Sequence, residues 1–541
     1  MTEATRNANW WKGAVIYQIY PRSFQDTTGN GVGDLKGITQ RLDHVAALGA
    51  DAVWISPFVK SPMLDFGYDV SDYLAVDPLF GTLDDFRALL DRAHALGLRV
   101  IMDQVLSHTA DQHPWFLESR ESRDNPKADW YVWADARPDG NVPNNWLSVF
   151  GGSSWQWEPR RGQYFLHNFL RQMPDLNYHN PEVQQAVLDT CRFWLDMGVD
   201  GFRLDVCTFY AHDLELRDNP PNPNIPEGEA FRFNPYSQQQ HVYDIARPET
   251  VAFLEKLRAL CDGYGDRALL GELNESDAVR IHREYTAVKR LQLAYGYWLT
   301  GAHHISPRML RDVARDLGHD DDSGWPCWAM DNHDFSRAIT RLGAEDRPEE
   351  VTVILAALSC LRGAMCLYQG SELGLPQAEI PHDRIIDPYG KEFWPAYKGR
   401  DGARTPMPWQ EGAPHSGFSE VDPWLPVVSE HAELAVSKQE ALPGSTLNRM
   451  RQFLTWRQDK AVLREGGMEF IETTENVLSF RRMLGDCVIT CAFNFGGQEE
   501  VVHLPEAEVG PAMEGHGFGG VRRGDDVRLP AYGAAFFERG S

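Results

Sequence analysis

Short apolar runs alternate with amphipathic stretches along the first 110 residues. AVIYQIYPRSF (14–24), AVWISPF (52–58) and VIMDQVLSH (100–108) are β-branched and aromatic and predict strands. ITQRLDHVAALGA (38–50) and DDFRALLDRAHALGL (84–98) carry apolar residues at helical spacing and end near Gly49 and Gly97, predicting helices. A β-α-β-α-β rhythm with nearly continuous apolar strands implies a parallel sheet covered by helices. The rhythm breaks over 109–176, rich in Trp, Pro, Asn and Gly, which predicts an inserted domain. It resumes with a helix (181–198) and the strand GFRLDV (201–206). An irregular subdomain is expected at about 207–245, centred on DLELRDNPPNPNIPEGEAFRFNP (213–235).

Four more strands are predicted: ALLGEL (268–273), LQLAYGYWL (291–299), CWAMDNHD (327–334) and AMCLYQG (364–370). Eight β-α units suit a closed TIM (β/α)8 barrel better than an open sheet with exposed edges. After a helix near 446–459 the pattern becomes short alternating strands, predicting a C-terminal antiparallel β-sandwich. The expected organisation is α/β: a barrel over 1–108 and 177–460, an inserted domain over 109–176, and a β-domain over 461–541.

Composition narrows the function. Of 541 residues, 43% are apolar and 24% charged, as in ordinary globular proteins. A net charge of −26 argues against a nucleic-acid partner and suits a neutral substrate in a carboxylate-lined site. The start shows no basic segment leading into an apolar one, and no run of about 18 apolar residues occurs, so neither a secretory leader nor a membrane span is expected. Eight scattered cysteines without a CxxC predict reduced, buried thiols in a cytoplasmic protein, here expected as a monomer or homodimer.

Barrel chemistry sits where the C-terminal strand ends converge. Here those ends carry Asp103 and His108 (third strand), Arg203 and Asp205 (fourth), Glu272 (fifth), and Asn332, His333 and Asp334 (seventh). Any one of them could be a loop salt bridge; four strand ends together point to a site. Glycoside hydrolysis with retention needs such a set: a nucleophilic carboxylate, a protonated acid about 5–5.5 Å away, and charge stabilisation for the sugar ring. Arg203, two residues before Asp205, shares its strand face and is expected to lower its pKa, while crowding raises that of Glu272. His108 and His333 are donors suited to sugar hydroxyls.

The ordered set DQVLSH, GFRLDV, GEL and MDNHD resembles the α-amylase family of glycoside hydrolases over essentially the whole chain. The resemblance implies Asp205 as nucleophile, Glu272 as acid/base and Asp334 as transition-state stabiliser, with Asp103, His108, Arg203 and His333 holding the first sugar. It adds Phe150 and Arg337 to the substrate-binding set. SPMLDFGYDVSDY (61–73) and GRDGARTPMPW (399–409) resemble signatures of the α-glucosidase and oligo-1,6-glucosidase group. They imply that Asp65 pairs with Arg400 to grip the terminal sugar beside Tyr68, making an exo-acting, retaining α-glucosidase of short oligosaccharides or disaccharides, with some transglucosylation. QMPDLNY (172–178) is a hybrid of two subgroup patterns, and Val206, beside the nucleophile, goes in the family with α-1,6 preference.

DTTGNGVGD (26–34) offers oxygens at Asp26, Thr28, Asn30, the Val32 carbonyl and Asp34, resembling the family's cation loop and implying structural Ca²⁺. Thr28 and Asn30 stand where acidic or amide residues are usual, which weakens the site; a hydrogen-bonded turn is the alternative. Two other activities compete: a same-fold glucosyltransferase or isomerase, such as a trehalose synthase or sucrose isomerase, and a non-catalytic relative. The intact carboxylate set and absent membrane helix oppose the last, and no Arg-rich isomerase loop is found near strand eight.

Overall fold

The computed structural model describes residues 9–224, 234–273, 277–318 and 324–540. Residues 225–233 of the expected irregular subdomain, and the first eight residues used in the leader reading, lie outside these. The barrel strands are β1 (Val15–Ile19), β2 (Ala52–Ile55), β3 (Arg99–Gln104), β4 (Gly201–Leu204), β5 (Ala268–Leu273), β6 (Leu293–Gly296), β7 (Trp325–Ala329) and β8 (Ala364–Tyr368). They close into one all-parallel barrel in sequential order, β8 pairing back to β1. Among the described residues no helix is long and apolar enough to cross a membrane. All eight cysteines are free thiols, seven of them buried.

Strand periodicity of two sorts the side chains. Val15, Tyr17, Val53, Val100, Met102, Phe202 and Leu204 pack outward in the large core under the helices. Ile16, Trp54, Ile101, Leu270, Tyr295 and Cys327 fill the barrel interior, whose N-terminal end is closed by Trp10, its indole N–H donating to the Asp266 carbonyl at 2.8 Å. The same inward parity, continued upward, reaches Gln18, Asp103, Arg203, Asp205 and Glu272. Register puts Asp103 beside Arg203 and Glu272 beside Tyr295. Gly201 is required where β4 meets β5, since a Cβ there would lie 2.2 Å from the Ala268 carbonyl oxygen.

The strands are shorter than predicted. The predicted runs extend to His108 for β3 and Asp334 for β7, but pairing stops at Gln104 and Ala329. His108 instead bridges to Asp175. Helices begin earlier than expected because caps set them: Asp34 caps Leu35–Ala47, and Thr82 with Asp85 forms a capping box on Leu83–Ala95. The inserted segment is not merely irregular. It holds a helix, Pro114–Ser119, and a three-stranded antiparallel sheet of Trp133–Ala134, Gln163–Leu166 and Trp155–Glu158.

At the C-terminus a four-stranded sheet (Gly467–Ile471, Val477–Leu484, Cys487–Asn494, Ala534–Arg539) accompanies a three-stranded one (Glu500–His503, Asp526–Leu529, Val521–Arg523). Val477, Ala492 and Phe537 of the first pack on Val502, Val527 and Leu529 of the second. The opposite face, with Leu478, Phe480, Cys491 and Phe493, joins the core of the barrel.

We propose that the 26–34 loop is held by its own hydrogen bonds and not by calcium. Asp26 accepts from the Thr28, Gly29 and Gly31 N–H groups (2.8–2.9 Å) and from Ser419 Oγ at 2.7 Å. Asp34 accepts from Thr27 and caps the helix through Gly37, and Asn30 Oδ1 accepts from the Val32 N–H at 2.8 Å. Burial alone would raise the Asp26 carboxyl, but Ser419 and the three N–H groups hold it below the usual range. Dialysis against EDTA is expected to leave the unfolding temperature unchanged, whereas Asp26→Ala lowers stability by about 1–3 kcal/mol; a chelator-induced drop in the unfolding temperature would restore calcium to the loop.

Candidate active site

The mouth of the barrel is organised around two arginines. Arg203, fully buried, reaches Asp103 at 2.9 Å and Asp205 at 2.7 Å through Nη1, and Glu272 at 2.6 Å through Nη2. Its Nε and Nη2 also donate to the Tyr295 hydroxyl. Asp103 is saturated by Arg203, the Trp54 indole N–H (3.0 Å) and the Tyr68 hydroxyl (3.1 Å), so it forms the floor. Arg400 is the second hub. Its Nη2 lies 2.6 Å from Asp65 and 2.7 Å from Asp387, and its Nη1 3.0 Å from Asp334. Arg404 adds a bond to Asp334 at 2.8 Å, and Phe150 lies under the Arg400 guanidinium at 5.3 Å.

Glu272 Oε2 also accepts from the Val206 N–H at 3.1 Å. To present that N–H the chain adopts φ 36°, ψ 48° at Val206. A β-branched residue in the left-handed region costs about 1–3 kcal/mol, strain that the surrounding packing must hold.

The two histidines differ. His108 has both ring nitrogens engaged, Nε2 with the Tyr68 carbonyl (3.1 Å) and Nδ1 with Ser107 Oγ (2.8 Å), and burial lowers its pKa to about 4. It therefore fixes the Tyr68 loop and offers no free donor. His333 stacks on Tyr68 (5.3 Å, 4°) and takes the Gln18 amide on Nδ1 at 2.8 Å, which leaves the proton on Nε2. That Nε2 lies 3.2 Å from Asp334 but has no well-aligned partner. It is a buried donor without a well-aligned acceptor. Burial keeps His333 neutral.

Electrostatics correct one expectation. Arg203 does not bring Asp205 below the usual range. Burial raises the Asp205 carboxyl against the pull of Arg203, and Glu272, Asp103 and Asp334 raise it further. Glu272 is raised by burial, opposed by Arg203 and reinforced by Asp334. Asp205 and Glu272 therefore titrate as a unit that keeps a proton to higher pH than a free carboxyl does. Asp334 goes the other way: burial opposes it, but Arg400 and Arg404 hold it ionised.

Asp65, Tyr68, Asp103, Phe150, Arg203, Asp205, Glu272, His333, Asp334 and Arg400 thus meet in one pocket. Arg337 does not join them. Its guanidinium donates to the Gln369 and Ala403 carbonyls, tying the segment that leads to Arg404 onto the end of β8. Three participants escaped the sequence reading. Tyr295 looked like an ordinary core aromatic of a strand, although its inward parity matches that of Leu293. Arg404 lay inside a quoted motif without a role. Asp387 sits in an aperiodic loop, with no signal in its neighbours.

Residues 18–466 match the family described as alpha amylase, catalytic domain. The chain is 51% identical over 536 residues to a probable alpha-glucosidase of Rhizobium meliloti (strain 1021), covering 98% of this chain and 97% of that one. It is 37% identical over 505 residues to an oligo-1,6-glucosidase of Heyndrickxia coagulans, covering 85% and 87%. Among solved structures it resembles an alpha-glucosyl transfer enzyme, with 51% identity, a TM-score of 0.94 and coverage of 98% and 99%. The barrel, its inward-facing acids and these matches lead to one assignment: the chain belongs to the α-amylase family.

Proposed function

We propose that the protein is an exo-acting, retaining α-glucosidase that removes glucose from the non-reducing end of short α-glucosides. The observation that carries the reading is the sharing of one guanidinium, Arg203, by Asp205 and Glu272. Two carboxyls on neighbouring nitrogens of one group suit the ~5–5.5 Å spacing of a retaining pair, not the ~6.5–9.5 Å that leaves room for a water. Asp205 attacks the anomeric carbon while Glu272 protonates the leaving oxygen. The glucosyl ester on Asp205 is then hydrolysed by water that Glu272, now a base, deprotonates. Asp334, kept ionised by Arg400 and Arg404, stabilises the positive charge on the ring. The Asp65–Arg400–Asp387 cluster, over the Phe150 ring, blocks one end of the cleft and accounts for attack at the chain end.

A second reading shares every step but the last: an acceptor sugar, not water, takes the glucosyl group. It is favoured by the likeness to the alpha-glucosyl transfer enzyme and to the trehalulose synthase of Pseudomonas mesoacidophila MX-45, 30% identical with a TM-score of 0.85.

Product analysis by NMR on maltose, isomaltose, sucrose and trehalose in parallel separates the two readings. Hydrolysis predicts α-glucose as the first product; β-glucose first excludes retention, and new disaccharides in place of free glucose establish transfer. Turnover needs Asp205 ionised and Glu272 protonated, so the rate is bell-shaped in pH. Because burial raises both carboxyls, each limb is expected above the usual carboxylate values of about 3.9 and 4.3. Glu272→Gln is expected to abolish the alkaline limb and to cost about 10²–10⁴-fold in kcat on substrates with poor leaving groups; an alkaline limb that survives unchanged would remove Glu272 from the acid role.

A further inference from the structure

The inserted domain carries a second concave site, of about 310 Å³, lined by none of the catalytic residues. One wall is Trp157, an indole 41% exposed that touches Tyr164 only edge-on, at 5.0 Å between centroids. It lies in the strand Trp155–Glu158, where Trp155 and Glu158 at the two ends are buried and Trp157 is exposed. The floor is apolar, formed by the buried Phe116 and Phe165. Across it Arg120 is locked, Nε donating to Glu158 Oε2 at 2.7 Å with the guanidinium 5.3 Å from the Phe116 ring. Of the remaining lining, Pro159 is apolar and Gln156 donates to the Trp157 carbonyl at 3.1 Å. The side chains of Asp111, Arg171 and Gln172 line the site, and among the described residues none makes a hydrogen bond or ion pair.

The chemistry of that lining selects a ligand class. Two guanidiniums, Arg120 and Arg171, face two carboxyls, Asp111 and Glu158, so the charges balance and neither an anion nor a cation is favoured. An exposed flat ring beside unpaired donors and acceptors suits a molecule with an apolar face and an edge of hydroxyls. The volume lies at the small end of ligand pockets, about 300–1,000 Å³, enough for one or two sugar rings. We propose that this groove is a second saccharide-binding site, with Trp157 as the stacking platform and Asp111, Arg171 and Gln172 contacting hydroxyls. It is separate from the catalytic pocket but built on the same two segments that carry its wall. The Asp111 N–H donates to the Gln172 carbonyl at 2.7 Å, and His108, three residues before Asp111, bridges to Asp175, three residues after Gln172.

Calorimetric titration of maltotriose into the turnover-deficient Asp205→Asn protein tests this without requiring catalysis. Two binding events are expected, and adding Trp157→Ala or, independently, the exposed Arg171→Ala should weaken one of them at least tenfold while leaving the other. In the otherwise unaltered protein, Trp157→Ala should keep kcat/KM on p-nitrophenyl α-glucoside within twofold. A single binding event in the Asp205→Asn protein, or two events untouched by both substitutions, would overturn the second site. A loss of p-nitrophenyl α-glucoside turnover in Trp157→Ala would overturn its separateness from the catalytic pocket. Failure of the unsubstituted protein to hydrolyse any glucoside would instead count against the glucosidase reading alone.

Discussion

One buried guanidinium sets the terms for the rest of the catalytic centre. Arg203 stands fully inside the barrel, where an unpaired charge would cost several kcal/mol, and it is satisfied by Asp103, Asp205, Glu272 and the Tyr295 hydroxyl. Three carboxyls around one cation cannot all ionise cheaply in a dry site. The excess negative charge keeps a proton within the group, and a glycosidase needs such a proton for the departing oxygen. The acid is thus supplied by stoichiometry: more carboxyls than cations, enclosed together.

Arg400 solves a different problem. With Arg404 it faces Asp65, Asp334 and Asp387, and the balance there leaves Asp334 ionised. Asp387 takes Nε, Nη2 and the backbone N–H of Arg400, so the guanidinium is oriented before any substrate arrives. The two hubs divide the pocket into a proton-holding side and a charge-stabilising side. The strained Val206 stands on the first, its N–H given to Glu272.

Much of this was legible because strand parity and motif order are local properties. Alternation along β3, β4 and β5 put Asp103, Arg203, Asp205 and Glu272 on one interior surface, and the eight apolar runs became the eight barrel strands. What local pattern could not carry was partnership across the fold. Asp387 reaches Arg400 from an aperiodic loop, and Arg337, near the catalytic motif in sequence, spends its donors on carbonyls elsewhere. The pKa of Asp205 depended on how many acids share Arg203, which no single strand reveals. The cation loop had its oxygens at suitable spacing, but spacing does not say whether an oxygen faces an ion or the loop's own N–H groups. Small strands in the inserted domain were hidden by their length of two to four residues.

The proposed reaction requires Asp205 to take the sugar covalently, with Glu272 beside it holding the proton. Trapping the intermediate with 5-fluoro-α-glucosyl fluoride, followed by proteolysis and tandem mass spectrometry, measures that directly. A single fluoroglucosyl adduct, located on Asp205, is expected. An adduct on Glu272, Asp334 or Asp103 would contradict it.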